Sequence, residues 1–147
     1  MKSRSLCIVG SGKLKIWHKS PDVCPVKARE IYVGTFSKKS IEYAEKFYPD
    51  SWMILSAKYG FMKGDDIIKK PYDACFHDIN SNPISIHELS SQANDKGLNK
   101  YNRIVVLGGR YYTKLIKSIF HDKSIYNPLE GCKGIGYMIG KLNKAIK

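Results

Sequence analysis

The fold is decided by Arg103-Ile104-Val105-Val106-Leu107, an apolar run that ends at Gly108-Gly109. A short run of β-branched residues without polar alternation is typical of a strand buried on both faces of a sheet. The two glycines predict a tight turn directly after the strand. A helix is predicted next, over residues 110–120, because its apolar side chains recur on one side.

Further strands of the same kind are predicted outward from this one. Residues 5–9 form an apolar run that ends at Gly10-Ser11-Gly12, and residues 52–55 form another, followed by a loop at 56–60. A weaker strand is predicted at residues 124–126, before Pro128.

Helical spacing of apolar residues predicts helices at residues 37–48, 83–94 and 135–146, and a shorter helix at 26–32. Residues 61–82 show no clear period, which is typical of a functional loop. Strands that alternate with amphipathic helices predict an α/β fold, with a mainly parallel sheet covered on both faces. The length of 147 residues predicts a single domain, 1–147.

The chain carries 25 Lys and Arg residues against 13 Asp and Glu residues, a formal net charge of +12 at pH 7 that is spread along the sequence. Such a field attracts polyanions, because each phosphate contact releases condensed counterions. We therefore expect a nucleic-acid partner; the alternative is that the lysines serve only solubility. No apolar run is long enough to cross a bilayer, so we expect a cytoplasmic protein without a membrane partner.

The cysteines are widely spaced, which predicts reduced thiols rather than a disulfide framework. Cys75 and His77 could supply half of a zinc site, but no second pair has matching spacing. We therefore expect neither a metal nor a cofactor.

The segments that leave the predicted strands should converge, because ligands of parallel sheets bind beyond the carboxyl ends of the strands. The first segment contains Gly10, Ser11 and Lys13, whose free N–H groups and ammonium suit a phosphate. The spacing of a P-loop is absent, since Leu14 stands where Ser or Thr would hold magnesium. ATP hydrolysis is therefore not expected, and a plain turn remains the alternative.

The second segment and the loop behind it combine aromatic, cationic and carboxylate side chains. The candidates are Ser56, Lys58, Tyr59, Tyr72, Asp66 and Asp73. Tyr59 or Tyr72 could stack on a base and Lys58 could meet a phosphate, while Asp66 or Asp73 could stabilise a cationic sugar or orient water. The alternative is that the tyrosines pack in the core and the aspartates form turns.

The third segment is Gly108-Gly109, followed by Tyr111 at the start of a predicted helix. A glycine turn at a helix N-terminus suits an anion, because unpaired N–H groups and the helix dipole both favour negative charge there. Gly108, Gly109 and Tyr111 are therefore predicted to bind substrate.

These residues also carry a resemblance to known families. The runs ILSAKYGF at 54–61, DDII at 65–68 and PYD at 71–73 resemble the central block of the YaaA peroxide-stress protein family and of a sister family of small uncharacterised prokaryotic and phage proteins. AREIY at 28–32, the Gly108-Gly109 turn and residues 128–136 resemble the sister family as well. The sister family often has Cys where Gly10-Ser11 stand, so a role of that thiol does not transfer.

The same block is more weakly similar to the domain that follows the catalytic barrel in archaeal tRNA-guanine transglycosylases and archaeosine synthases, whose fold is similar to uracil-DNA glycosylase. The resemblance implies a three-layer α/β sandwich, a DNA or RNA partner, and N-glycosidic cleavage of a modified base as a candidate activity. Three functions stay open: a DNA glycosylase or related base-processing enzyme, a non-catalytic nucleic-acid-binding module, and a small-molecule nucleotide enzyme. DNA is favoured over RNA.

Overall fold

The computed structural model describes residues 4–147 as an α/β protein with a five-stranded sheet, a two-stranded sheet and four helices in that range. In chain order the elements are β1 (Ser5–Gly10), β2 (Val26–Lys27), α1 (Thr35–Phe47), β3 (Trp52–Ser56), β4 (Gly60–Met62), β5 (Ile67–Ile68), α2 (Ile86–Asp95), β6 (Arg103–Leu107), α3 (Arg110–Ile119), β7 (Ser124–Tyr126) and α4 (Ile135–Ile146).

The central sheet has the strand order β4-β3-β1-β6-β7. The pairs β3-β1, β1-β6 and β6-β7 are parallel, and only β4 runs antiparallel, beside β3. Val9 in the central strand pairs with Ile54 on one side and with Leu107 on the other. The predicted mainly parallel sheet is therefore confirmed.

Helices cover both faces of this sheet. Helices α1 and α4 pack together on one face, and α2 and α3 pack together on the other. The side chains of β1 alternate accordingly: Cys7 and Val9 belong to the first core, and Leu6 and Ile8 to the second. Burial raises the pKa of the Cys7 thiol far above its usual range, so this cysteine is an apolar core residue.

Two stretches differ from the sequence prediction. Val26–Lys27 is a short strand that pairs antiparallel with Ile67–Ile68, and a 3-10 turn at Ala28–Glu30 takes the place of the predicted helix. The aperiodic stretch 61–82 contains part of β4 and all of β5. Two- and three-residue strands leave too short a pattern to be read, and their pairing is set by non-local contacts.

The order of the parallel strands creates a switch point beside β1. The chain passes from β1 to β3 on one side and then crosses to β6 on the other, so a crevice opens between the carboxyl ends of β1 and β6. We call the end of the sheet at Gly10, Ser56 and Leu107 the carboxyl edge, and the opposite end the amino edge. Among the helices of residues 4–147, none has the length and apolarity to cross a membrane.

Candidate functional site

The segments after β1, β3 and β6 meet at the carboxyl edge, as the parallel topology predicts. Gly10 pairs with Leu55, and Val9 pairs with Leu107, so Ser11, Ser56 and Gly108 follow neighbouring strand ends. The geometry of each segment then decides which predicted residues are free to meet a ligand.

Tyr112 fills the crevice at the switch point. A side-chain carbon on Gly10 would lie 2.8 Å from the Tyr112 ring, and one on Gly108 would lie 3.0 Å from it. The Tyr112 hydroxyl donates to the Ser11 carbonyl at 2.7 Å. Gly10 and Gly108 therefore make room for a tyrosine ring, and the binding of a phosphate by their backbone N–H groups stays a prediction.

Burial of Tyr112 makes the protein sensitive to high pH. Burial raises the pKa of Tyr112 from 10.0 to about 12. In this window the unfolded chain ionises while the folded protein keeps its proton, so the free energy of unfolding falls as pH rises from 10 towards 12. A shift of this size corresponds to roughly 2 to 3 kcal/mol.

We expect Tyr112→Phe to lose less stability than the wild-type protein between these pH values, as measured by urea unfolding at each pH. Tyr137→Phe, which changes an exposed tyrosine, serves as the control. Equal losses in all three proteins would contradict the assignment.

The loop after β1 also packs against α1. A side-chain carbon on Gly12 would lie 2.6 Å from Ser37 Oγ, and Ser37 is buried inside α1 rather than capping it. Lys13 is exposed at the tip of this loop and is free to meet a phosphate. The glycines here are explained by packing, and the lysine is the part that stays available.

Ser56 is a buried residue whose side chain holds the loop after β3 by hydrogen bonds. Its side chain is 0% exposed, accepts the N–H groups of Lys58 at 3.1 Å and Tyr59 at 3.2 Å, and donates to the Tyr72 hydroxyl at 3.1 Å. Tyr72 is in turn hydrogen-bonded to Tyr32. Burial raises the pKa of both tyrosines, so the cluster holds neutral hydroxyls at ordinary pH.

The two tyrosines proposed to stack on a base differ in exposure. Tyr72 is buried, with its ring centroid 5.0 Å from that of Trp17 and 5.4 Å from that of Tyr59. Tyr59 is 38% exposed and follows the exposed Lys58. The expectation of stacking by Tyr72 is therefore corrected to a packing role, while Tyr59 remains available to a ligand.

Lys15 belongs to this site, although its sequence context did not single it out. The residue is only 5% exposed, and its backbone pairs with Tyr32. Its Nζ lies 5.3 Å from the centroid of the Tyr72 ring and 3.5 Å from the Lys13 carbonyl oxygen. Burial lowers the pKa of Lys15, and the charges of Cys75 and Asp73 partly oppose this shift.

Asp73 lies at the rim of the same site. Its carboxylate is 92% exposed, and Oδ1 is 3.9 Å from His18 Nε2. His18 Nδ1 accepts the backbone N–H of Lys15 at 3.2 Å, so the His18 proton lies on Nε2, facing Asp73. The structure thus brings one of the two predicted aspartates next to the buried lysine.

Asp66 lies at the amino edge instead. Because β4 runs antiparallel to β3, the turn after β4 returns to the end of the sheet at which β3 begins. There Asp66 Oδ2 accepts the Lys63 N–H at 2.8 Å, and the residue lines a cavity of about 600 Å³ beside Trp52 and another of about 330 Å³ that Tyr59 also lines. The expectation that Asp66 shares the crevice with the glycine turns is corrected.

A basic groove lies beside the third segment. A cavity of about 570 Å³ opens at Gly108 and the start of α3, and a second, of about 610 Å³, adjoins it along α4. Glu130 is on the lining of both. We define the basic groove by its cations, which are Arg110, Lys114, Lys117, Lys133, Lys141 and Lys144.

The helices that begin at this groove have free N-termini. Gly109 and Gly134 are the N-caps of α3 and α4; neither helix has a capping side chain or an acidic residue in its first turn. In contrast, Ser85 caps α2 by accepting the Glu88 N–H at 3.1 Å. The first N–H groups of α3 and α4 are therefore not satisfied by capping side chains, as an anion site requires.

Asn127 fixes the wall between the two helix N-termini. This buried side chain donates to the Gly108 carbonyl at 3.1 Å and to Thr113 Oγ1 at 2.9 Å, and accepts the Leu129 N–H at 2.8 Å. A fully satisfied buried amide holds a rigid loop, so the groove is preformed. Tyr111, exposed at the start of α3, lies against His77 with a centroid distance of 4.6 Å and a tilt of 52° between the rings.

A family model with the description "Family of unknown function (DUF6884)" matches residues 9–144. The chain belongs to this family. The DUF6884 match spans the whole carboxyl edge, from the end of β1 to α4. The chain is also 37% identical over 145 residues to the Uncharacterized protein YfjM of Bacillus subtilis (strain 168), covering 98% of this chain and 96% of that protein. No solved structure matches the chain.

Membership of DUF6884 gives no support to the YaaA resemblance, nor to a fold like that of uracil-DNA glycosylase. Both stay predictions. A functional proposal must therefore rest on the residues and geometry of the carboxyl edge.

Proposed function

We propose that the protein binds the sugar-phosphate backbone of a nucleic acid along the basic groove, with DNA favoured over RNA. The observation that carries this proposal is a groove lined by six cations, at whose start two helix N-termini lack capping side chains. A phosphate placed there would meet both fixed N–H dipoles and mobile ammonium groups.

The charges of the groove are not engaged by the protein itself. Within residues 4–147, no carboxylate oxygen lies within 4.0 Å of the side-chain nitrogens of Arg110, Lys114 or Lys117. Elsewhere on the molecule, Arg29 contacts Glu45 at 2.7 Å and Asp65 at 3.3 Å. Unpaired cations release counterions on binding a polyanion, whereas paired ones must first break an ion pair.

Helix α4 has glycines on the side that lines the basic groove. Gly140 is inside the helix, and a side-chain carbon there would meet nothing within 4 Å. An interior glycine costs a helix about 1 kcal/mol relative to alanine. A nucleic-acid backbone that binds close to α4 would explain why the helix has glycine at this position despite the cost.

Gly140→Ala should therefore stabilise the free protein by about 1 kcal/mol, because open space surrounds the new methyl group and the helix gains propensity. Gly97→Ala is the matched opposite: space is open there too, but Gly97 has φ +70°, so alanine should destabilise the protein. Thermal denaturation of the three proteins checks both signs, and a destabilised Gly140→Ala would contradict the open surface.

The small-molecule alternative is less favoured by the geometry. A mononucleotide would need the turn at Gly10 as its phosphate cradle, where Tyr112 and Ser37 occupy the space beside the glycines. Base processing with Asp73 as the group that serves the sugar remains a prediction. Its support is the position of Asp73 at the rim, beside His18, which accepts the backbone N–H of Lys15.

Fluorescence anisotropy with single-stranded DNA, duplex DNA and RNA of one sequence tests the proposed function. We expect binding that weakens with salt, with a slope of log K against log salt of about −0.9 for each duplex phosphate neutralised, or about −5 if each of the six cations of the basic groove neutralises one phosphate. If none of the three polymers binds and a mononucleotide binds independently of salt, the proposed function is wrong and the small-molecule alternative is favoured.

A further inference from the structure

Lys15 is buried without the partner that a buried ammonium needs. No carboxylate of residues 4–147 lies within ion-pairing distance of its Nζ, and its nearest acceptor is the Lys13 carbonyl oxygen at 3.5 Å. Burial away from carboxylates disfavours the charged form and lowers the pKa of the Lys15 amine. A lowered pKa raises the share of the neutral amine, which is the nucleophilic form of lysine.

Packing does not explain why a lysine stands at this position. Lys15 is buried beside Tyr72, a residue of the first core, where a methionine would fill a similar space without an amine. Nζ donates to the carbonyl oxygen of the exposed Lys13, and His18 connects the Lys15 backbone to the exposed Asp73, so the amine lies close to the surface.

The segment beside the amine also reaches the interface proposed above. The Tyr72 ring lies against Lys15 Nζ, and Phe76 and His77 in the same segment lie 5.9 Å and 4.6 Å from the Tyr111 ring centroid, at the beginning of α3, where the basic groove starts. A nucleotide whose phosphates lie in the groove could therefore extend its sugar towards the rim at Asp73. Extruding a nucleotide costs least where no base is stacked, as at an abasic position.

We propose that Lys15 is a catalytic amine that forms an imine with the sugar of an abasic site in DNA; this rests on the proposed function. The Lys15 nitrogen lone pair attacks the C1′ aldehyde carbon of the ring-opened sugar, and a carbon–nitrogen bond forms. The amine gives up two protons, the carbonyl oxygen takes them and leaves as water, and a C=N bond remains. No oxidant or reductant is consumed.

Borohydride trapping tests the proposal. Hydride reduces the C=N bond to a secondary amine, which fixes the DNA to the protein covalently. We expect an adduct with an abasic oligonucleotide that maps to the peptide containing Lys15. Lys15→Met should lower its yield by at least about tenfold. Lys19→Met, an exposed lysine in the same segment, should leave the yield unchanged.

Two further readouts separate the possible failures. Anisotropy with the same abasic DNA reports binding, and limiting formaldehyde with cyanoborohydride reports the reactivity of Lys15 towards a small aldehyde. Bound DNA with no Lys15 adduct, or an adduct that persists in a folded Lys15→Met, overturns the inference and leaves the proposed function standing. Labelling of Lys15 by formaldehyde in a protein that binds no DNA overturns the abasic substrate together with the proposed function.

Discussion

Replacing Arg110, Lys114 and Lys117 together by alanine is expected to weaken DNA binding by roughly two to three orders of magnitude at low salt. All three line the cavity at the start of α3 and carry no ion pair within residues 4–147. Each loses a charge-assisted contact of about 1 to 1.5 kcal/mol, and the salt slope should become shallower by about 0.9 for each phosphate no longer neutralised. Anisotropy titrations over a range of salt concentrations measure both quantities.

A control with the same change of charge is available at the amino edge. Lys63, Lys96 and Lys100 are exposed and line the cavity there, so their replacement by alanine removes three positive charges far from the groove. This variant should lose only the weaker, long-range attraction. If both triple variants lose affinity equally, binding follows net charge alone and the groove is not the interface.

Replacing Ser56 by alanine is expected to destabilise the fold by about 3 kcal/mol, because the change removes three hydrogen bonds made by one fully buried oxygen. The N–H groups of Lys58 and Tyr59 then lose their acceptor, and the Tyr72 hydroxyl loses a donor. The loop after β3 carries Tyr59, so the same change should also loosen the rim of the site. Urea unfolding measures the loss.

Tyr72→Phe is the matched comparison for this hydroxyl cluster. It keeps the ring against Trp17 and Tyr59 and removes one hydroxyl with its hydrogen bonds to Ser56 and Tyr32, so we expect a smaller cost of about 2 kcal/mol. A Ser56→Ala protein as stable as the wild type would show that the hydroxyl is not needed for the fold. Ser56 would then be a candidate for contact with a ligand.

The central sheet could be predicted from the sequence because its strands are continuous apolar runs. The run at 103–107 pairs on one side with β1, and β1 pairs on its other side with β3, as strands buried on both faces require. The meeting of the three following turns also follows from parallel topology alone. Short strands such as β5 depend on non-local pairing, so their sequence pattern is too brief to identify them.

The residues of the site were harder to predict, because a glycine turn has the same sequence whether a ligand or a side chain fills the space beside it. Tyr112 fills that space at Gly10 and Gly108. Asp66 reaches the amino edge because the three-residue strand β4 turns back on β3. The position of Asp66 was therefore set by an element that the sequence pattern did not reveal.

Lys15 could not be identified from its neighbours, since a lysine in an early loop is normally solvated. Its burial comes from tertiary contacts: the backbone pairing with Tyr32 and the ring of Tyr72, which is distant in the sequence. Asn127 is similar, because its three hydrogen bonds join segments that only the fold brings together. Predicting such residues requires knowing which loops share an edge of the sheet.

Backbone amide chemical shifts, followed as isotope-labelled protein is titrated with a short DNA duplex, test the interface most directly. We expect the largest changes at Gly109, Arg110 and residues 131–136, at the free N-termini of α3 and α4. Changes confined to residues 63–66 and 96–101, which line the cavity at the amino edge, would contradict the account.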